Sequence, residues 1–165
     1  MRMARSQPQT MESPRMPDAS LHSRLDALLS TQLQGVMATQ QHAQPYTSLM
    51  AFAHTPDLRH LIFATLRDTQ KHTNLLLNAQ VSFLIDDRNN DPIDYQNAVA
   101  LSVYGRANAI SLAQRDSALK GYLHKHPSLL AFVASADCAL LQVVVSSYRL
   151  VSQFQAVEVL RIEAR

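Results

Sequence analysis

The run Thr65-Leu66-Arg67-Asp68-Thr69-Gln70-Lys71-His72-Thr73-Asn74 gathers hydroxyls and cations where an apolar, strand-like segment turns into a helical one. Amide groups in the first turn of a helix lack intrahelical acceptors and carry partial positive charge. Lys71 falls in that turn, where the helix dipole disfavours a cation. A bound anion removes the conflict, with Thr65, Arg67 and Thr69 as further donors. The competing account is that Asp68 caps the helix and Lys71 is simply solvated. Spacing alone leaves the two open.

Other site chemistries find no footing. There is no glycine-rich phosphate loop or dinucleotide fingerprint, and no serine lies in an elbow motif. His124 and His126 are two apart, so they diverge on a helix, and both are expected on the surface after a helix end. A single cysteine, Cys138, excludes an internal disulfide framework and a cysteine-rich zinc site, and suits a reducing, cytoplasmic setting.

The elements that must position the Thr65–Lys71 run follow from periodicity. Leu21, Leu25, Leu28 and Leu29 form one helical stripe, which Asp18 or Ser20 can cap. Gly35 opens a short strand over 36–40, and a polar turn ends at Pro45. Strands over 46–54 and 60–65 form a hairpin around Thr55-Pro56-Asp57-Leu58. A short helix over 69–78 turns Leu75 and Leu76 inward. Val81, Phe83 and Ile85 alternate along the next strand, and a solvated loop follows from Asp86 to Pro92. Val99, Leu101 and Val103 then share one strand face, with Ser102, Tyr104 and Arg106 on the other. Ser111 and Gln114 have capping-box spacing before a helix over 112–124, and Pro127 starts another. Strands over about 138–150 and 155–163 end the chain. Hairpin-like connections predict antiparallel pairing, as a closed barrel of six or seven strands with peripheral helices.

The chain has 165 residues, 47% of them apolar, enough for one domain with a real core. No apolar run approaches the roughly 18 residues of a membrane span. Residues 1–17 carry three arginines against Glu12 and read as a disordered leader to a domain over 18–165. The rest is charge-balanced, with none of the basic face that nucleic-acid binding needs.

Thr65 to Lys71 resembles the Thr-x-x-x-Ser/Thr-x-Lys stretch of the pyridoxamine 5′-phosphate oxidase-like, FMN-binding split-barrel family. The frame around it is similar too: Gly35-Val-Met-Ala-Thr39, then Pro45 and a strand, Leu61-Ile-Phe63, Asn74-Leu75 and Asn78 before Val81-Ser-Phe, and Val103-Tyr-Gly105-Arg-Ala107. The likeness runs from about residue 20 to 163 and implies a split β-barrel. It further implies FMN, with its phosphate on Thr65, Thr69 and Lys71, helped by Leu66 and Arg67. The flavin ring would lie along Thr47, Ser48, Leu49 and Met50, for the last two of which ordinary barrel core is the alternative. It also implies a homodimer with FMN between subunits, to which Arg106, Gln153 and Phe154 are candidate contributors.

The family's chemistry is flavin-dependent oxidation and reduction, in which hydride passes through flavin N5 and NADH or NADPH is a possible donor. Two departures bear on the substrate. The oxidases themselves carry arginine where Ser48 stands and a basic residue where Gln70 stands, and their C-terminal substrate residues find no match in 148–165. His126-Pro127 and Tyr148-Arg149-Leu150 are instead similar to haem-utilisation members of the superfamily. A flavin- or haem-binding protein without turnover is therefore the alternative, with haem or a deazaflavin in place of FMN.

Overall fold

A computed structural model describes residues 20–153 and 156–163. The expected leader over 1–17 and Phe154 lie outside the described residues. The described chain runs α1 (Leu21–Thr31), β1 (Gln34–Gln41), β2 (Gln44–His54), β3 (His60–Leu66), α2 (Gln70–Leu77), β4 (Gln80–Asp86), α3 (Asp94–Asn97), β5 (Ala100–Ala109), α4 (Leu112–Lys125), a 3-10 turn (Pro127–Leu129), α5 (Leu130–Val133), β6 (Cys138–Ser152) and β7 (Ala156–Arg161). None of these helices is long and apolar enough to cross a membrane.

All strand pairs are antiparallel, in the order β3-β2-β1-β4-β5-β6-β7. Pairing of β3 with β6 closes the first six strands into a barrel, and β7 is the extra strand. The expected mainly β, antiparallel barrel with peripheral helices is what forms. The length of β6 makes this possible: Cys138–Val144 pairs with β3, while Ser147–Ser152 pairs with β7. Between those halves Ser146 bulges out of the β5–β6 ladder, opposite Tyr104 and Gly105. A Cβ built on Gly105 would lie 2.3 Å from the Val144 carbonyl oxygen, so only glycine fits there.

Alternation along the strands fills the barrel. Phe52, Phe63 and Phe83 meet edge to face, with centroids 6.0 and 6.3 Å apart, beside Met37, Leu61, Ile85, Leu101 and Val103. Leu25, Leu28 and Leu29 of α1 join this interior, and the Ser20 hydroxyl caps the helix by accepting from the Ser23 amide. Arg24 pairs with Glu158, tying α1 to β7. Tyr148 is fully buried and donates to the Leu58 carbonyl at 2.8 Å.

A second apolar cluster lies outside the barrel. Ala53, Ile62, Ala64, Cys138 and Leu140, from the outer faces of β2, β3 and β6, are covered by Tyr122 of α4 and Val133 of α5.

Several local expectations are corrected. The β1–β2 turn is the two residues His42 and Ala43, both at positive φ, so Pro45 is already in β2 opposite Gln40. On α2 the inward residues are Asn74 and Leu75; Leu76 is 75% exposed, because a further 100° of rotation carries it off the sheet. His126 is buried, with Nε2 2.8 Å from the Phe52 carbonyl, while His124 is exposed as expected.

Candidate functional site

The turn between β3 and α2 folds around its own hydroxyls. Thr65 is buried, and its Oγ1 lies 3.1 Å from that of Thr69, which donates to the Leu66 carbonyl at 2.8 Å. Thr69 occupies the cap position of α2, yet its hydroxyl is turned back to Leu66 and caps no amide. Asp68 is exposed one residue earlier, so the alternative in which it caps the helix is not realised. The first-turn amides of α2 therefore have no side-chain cap. Lys71 sits half-buried beside them, with no carboxylate partner among the described residues.

A polar network holds this turn against β1. The Asn74 side-chain amide donates to the Thr39 hydroxyl at 3.0 Å, and both residues are buried. Gln70 Nε2 donates to Asn74 Oδ1 at 2.8 Å and to Gln41 Oε1 at 2.7 Å. Each buried polar group in the network thus has a partner, which fixes the direction of α2.

The turn opens on a cavity of about 310 Å³. Leu49, Met50, Ala51, Ala64, Thr65, Leu66, Thr69 and Lys71 line one side, and Tyr122, Leu129 and Phe132 the other. Six of the nine residues singled out in the sequence are thereby brought together. Leu49 is 64% exposed and so is not ordinary core, whereas Met50 packs in the barrel interior. Three others do not reach the lining. Thr47 and Ser48 lie farther along β2, opposite Ala38 and Met37. Arg67 follows the end of β3, its backbone N–H bonded to the Asp137 carbonyl and its side chain exposed.

Sequence reasoning missed Ala51, Ala64, Tyr122, Leu129 and Phe132 as site residues. Tyr122 carried no signal beyond its place in the helix expected over 112–124. Burial pushes its phenol up to about 12, with Cys138 adding to the shift, so it stays protonated. The cavity therefore joins an apolar wall to one cationic, amide-rich end. That arrangement suits an anionic group carrying a flat apolar body.

A larger groove, of about 870 Å³, runs along β5 and β6 and contains Arg106, but shares no lining residue with this cavity. Its Arg59 is already engaged, by the Glu163 carbonyl at 2.9 Å and the Asp57 carboxylate at 4.0 Å.

The family model described as pyridoxamine 5′-phosphate oxidase matches residues 21–152. No curated protein sequence matches the chain. Among solved structures, a heme-binding protein from Mycobacterium smegmatis superposes with a TM-score of 0.78 at 12% identity, over 88% of this chain and 60% of that one. The chain thus spans less than two thirds of that protein. General Stress Protein 26 from Bacillus anthracis gives a TM-score of 0.66 at 20% identity, over 86% and 98% of the two chains. A FAD-binding protein from Mesorhizobium loti gives 0.61 at 20% identity, over 80% and 94%.

Proposed function

Because the chain belongs to the pyridoxamine 5′-phosphate oxidase family, we propose that the cavity at the β3–α2 turn holds FMN and that the protein is a flavin-dependent oxidoreductase. The observation that carries this reading is the convergence of Lys71, Thr65, Thr69 and the uncapped first turn of α2 on one end of a cavity whose other surfaces are apolar. Phosphate fits that end: the amides and Lys71 supply positive charge, and both threonine hydroxyls can rotate to donate. Leu49 would lie against the ring through its side chain and Met50 through its backbone, with Tyr122 and Phe132 opposite. Arg67, Thr47 and Ser48 contribute at the margin of the site, and Leu66 through its backbone.

At about 310 Å³ the cavity is at the bottom of the usual range for ligand sites, about 300–1,000 Å³. A complete flavin site therefore calls for a second wall. A homodimer that seats FMN between subunits supplies it, and the 64% exposure of Leu49 leaves an apolar surface for that purpose.

Bound flavin supplies the capacity to accept or release a hydride. The chain's own residues bind the phosphate, orient the ring along β2 and exclude water with an apolar wall. No acid–base dyad lines the cavity. The physiological electron donor in this reading is NADH or NADPH.

The alternative is a flavin- or haem-binding protein without turnover, and its haem form draws on the Mycobacterium smegmatis neighbour. The residues that suggested it are otherwise engaged: His126 Nε2 lies 2.8 Å from the Phe52 carbonyl, and Tyr148 donates to Leu58. The purified protein is expected to show a flavin spectrum, to sediment as a dimer, and to bleach anaerobically with NADH or NADPH. A Soret band instead of flavin absorbance would establish the alternative. Flavin binding without bleaching by either donor would remove the proposed reductase activity.

A further inference from the structure

Tyr122 packs on the outer faces of β2, β3 and β6 and is 1% exposed. A buried phenol normally finds an acceptor for its O–H, as that of Tyr148 does with the Leu58 carbonyl at 2.8 Å. The Tyr122 hydroxyl has no hydrogen-bond partner among the described residues. Nor is it sealed in: among the described residues, Arg24 Nε is the one fully enclosed side-chain nitrogen or oxygen that lacks a partner. The small exposure left to Tyr122 therefore reaches its oxygen, which opens on a cavity.

The tyrosine borders two spaces, the β3–α2 cavity and a notch beside α4. Its surroundings decide between them. The His126 ring lies beside its own, with centroids 5.0 Å apart. Beyond burial, the group that acts on the phenol is Cys138. Cys138 pairs with Leu66 at the end of β3, and its thiol is hydrogen-bonded with the Thr65 backbone. The hydroxyl end of the ring is thus directed along the sheet toward the β3–α2 turn. At that turn Lys71, Thr65, Thr69 and the uncapped amides of α2 all approach from one side. On the facing wall, made with Leu129 and Phe132, Tyr122 alone carries a side-chain donor.

We propose that the Tyr122 hydroxyl donates a hydrogen bond to the anionic group held at the β3–α2 turn, from the wall opposite Lys71. The proposal rests on the reading of that turn as a phosphate site and adds a residue to it. Burial holds the phenol protonated up to about 12, so it meets an anion as a donor at any working pH. A neutral O–H adds a directed bond to a site that already has its cation. A phosphate monoester offers three terminal oxygens, enough for both walls at once. An occupant with no acceptor at this end would bury the phenol unpaired. Tyr122 is therefore a specificity-determining residue, favouring a phosphorylated ligand over its dephosphorylated form.

The test is Tyr122→Phe in the full chain, titrated with FMN and with riboflavin by fluorescence quenching. The substitution removes one oxygen and keeps the ring against Ile62, Leu140 and His126. No protein hydrogen bond is lost, so the melting temperature of the ligand-free protein should be equal or higher. FMN binding should weaken about tenfold or more, and riboflavin binding should not change. Unaltered FMN affinity overturns the proposal. Equal losses for the two flavins also overturn it, because the hydroxyl would then bond a part of the ligand other than phosphate. Inorganic phosphate, followed by the amide shifts of Gln70 and Lys71, separates this result from failure of the flavin reading. A chain that ignores FMN but binds phosphate more weakly after Tyr122→Phe would end the flavin reading and keep the proposal. A chain that binds neither FMN nor phosphate would end both.

Discussion

The barrel interior and the covered patch on its outside are both buried, but they are built to different rules. Inside, Phe52, Phe63 and Phe83 pack with Met37, Leu61, Ile85, Leu101 and Val103, and the buried Tyr148 hydroxyl has its acceptor. Outside, the surface covered by Tyr122 of α4 and Val133 of α5 sets Ala53, Ala64 and Cys138 among Ile62 and Leu140. Large side chains fill the first region, whereas alanines stand between larger residues in the second, and Ala51 and Ala64 line the β3–α2 cavity. The β3–α2 cavity borders this second surface, sharing Ala64 and Tyr122 with it. Stability is thus concentrated in one region and room for ligands in the other.

The comparison breaks hardest at the β5–β6 seam. Gly105→Val would place Cβ 2.3 Å from the Val144 carbonyl oxygen and 2.6 Å from Val143 Cγ1, and the first of these is backbone that cannot swing aside. Overpacking of this kind costs about 3 kcal/mol, at the upper end of its usual range. For a chain of this size the melting temperature should fall by on the order of 10 °C. Thermal denaturation followed by circular dichroism measures it. An unchanged melting temperature would mean that the Ser146 bulge absorbs the strain and the seam is not rigid.

On the outer patch the opposite balance is expected. Lys71→Ala removes a half-buried cation with no carboxylate partner among the described residues, so the ligand-free protein should change by no more than about 0.5 kcal/mol. FMN binding should weaken by about one to two decades, the value of a hydrogen bond to a charged group. Riboflavin, which lacks the phosphate, should bind weakly to both proteins and not distinguish them. Fluorescence quenching of each flavin reads the difference. Unaltered FMN affinity would return Lys71 to the role of a solvated side chain.

The same division decides what was legible in the sequence. Strand alternation reports inside against outside directly, which is why Val81, Phe83 and Ile85 fell where expected. The outer patch is assembled from positions far apart in the chain, and its rules are not periodic. Asn74 is buried because Thr39 offers it a hydroxyl, whereas helical spacing and hydropathy favoured Leu76. His126 is buried because the Phe52 carbonyl, 74 residues away, receives its ring. Leu129 and Phe132 reach the cavity only through the fold of the segment after α4. The Thr65–Lys71 run was legible because its chemistry is local to one turn. Arg67 shares that run yet misses the cavity, since residue type does not reveal which way a turn residue points.

Lys125 joins the two regions and offers the finest test. It extends from the last turn of α4, donates to the Leu29 carbonyl at 2.6 Å and lies 3.9 Å from the centroid of Phe52. Burial pushes its ammonium down to about 8, while the carbonyl and the ring face both favour the charged form. In the unfolded chain the group titrates near 10.4. Between those values the unfolded state binds more protons than the folded one, so stability should rise with pH from about 8 to about 10.4. The contribution is absent below that window and complete above it. Because the side chain is only half-buried, solvent screening limits the gain to roughly 0.5 kcal/mol. Lys125→Met keeps the apolar stem over Phe52 and removes the titration. The melting temperature of the wild type should therefore gain on that of the variant as pH is raised through this window. A difference that stays constant from pH 7 to 10.5 would show that the Leu29 carbonyl and the Phe52 ring fully offset the burial, leaving the junction between the two regions insensitive to protons.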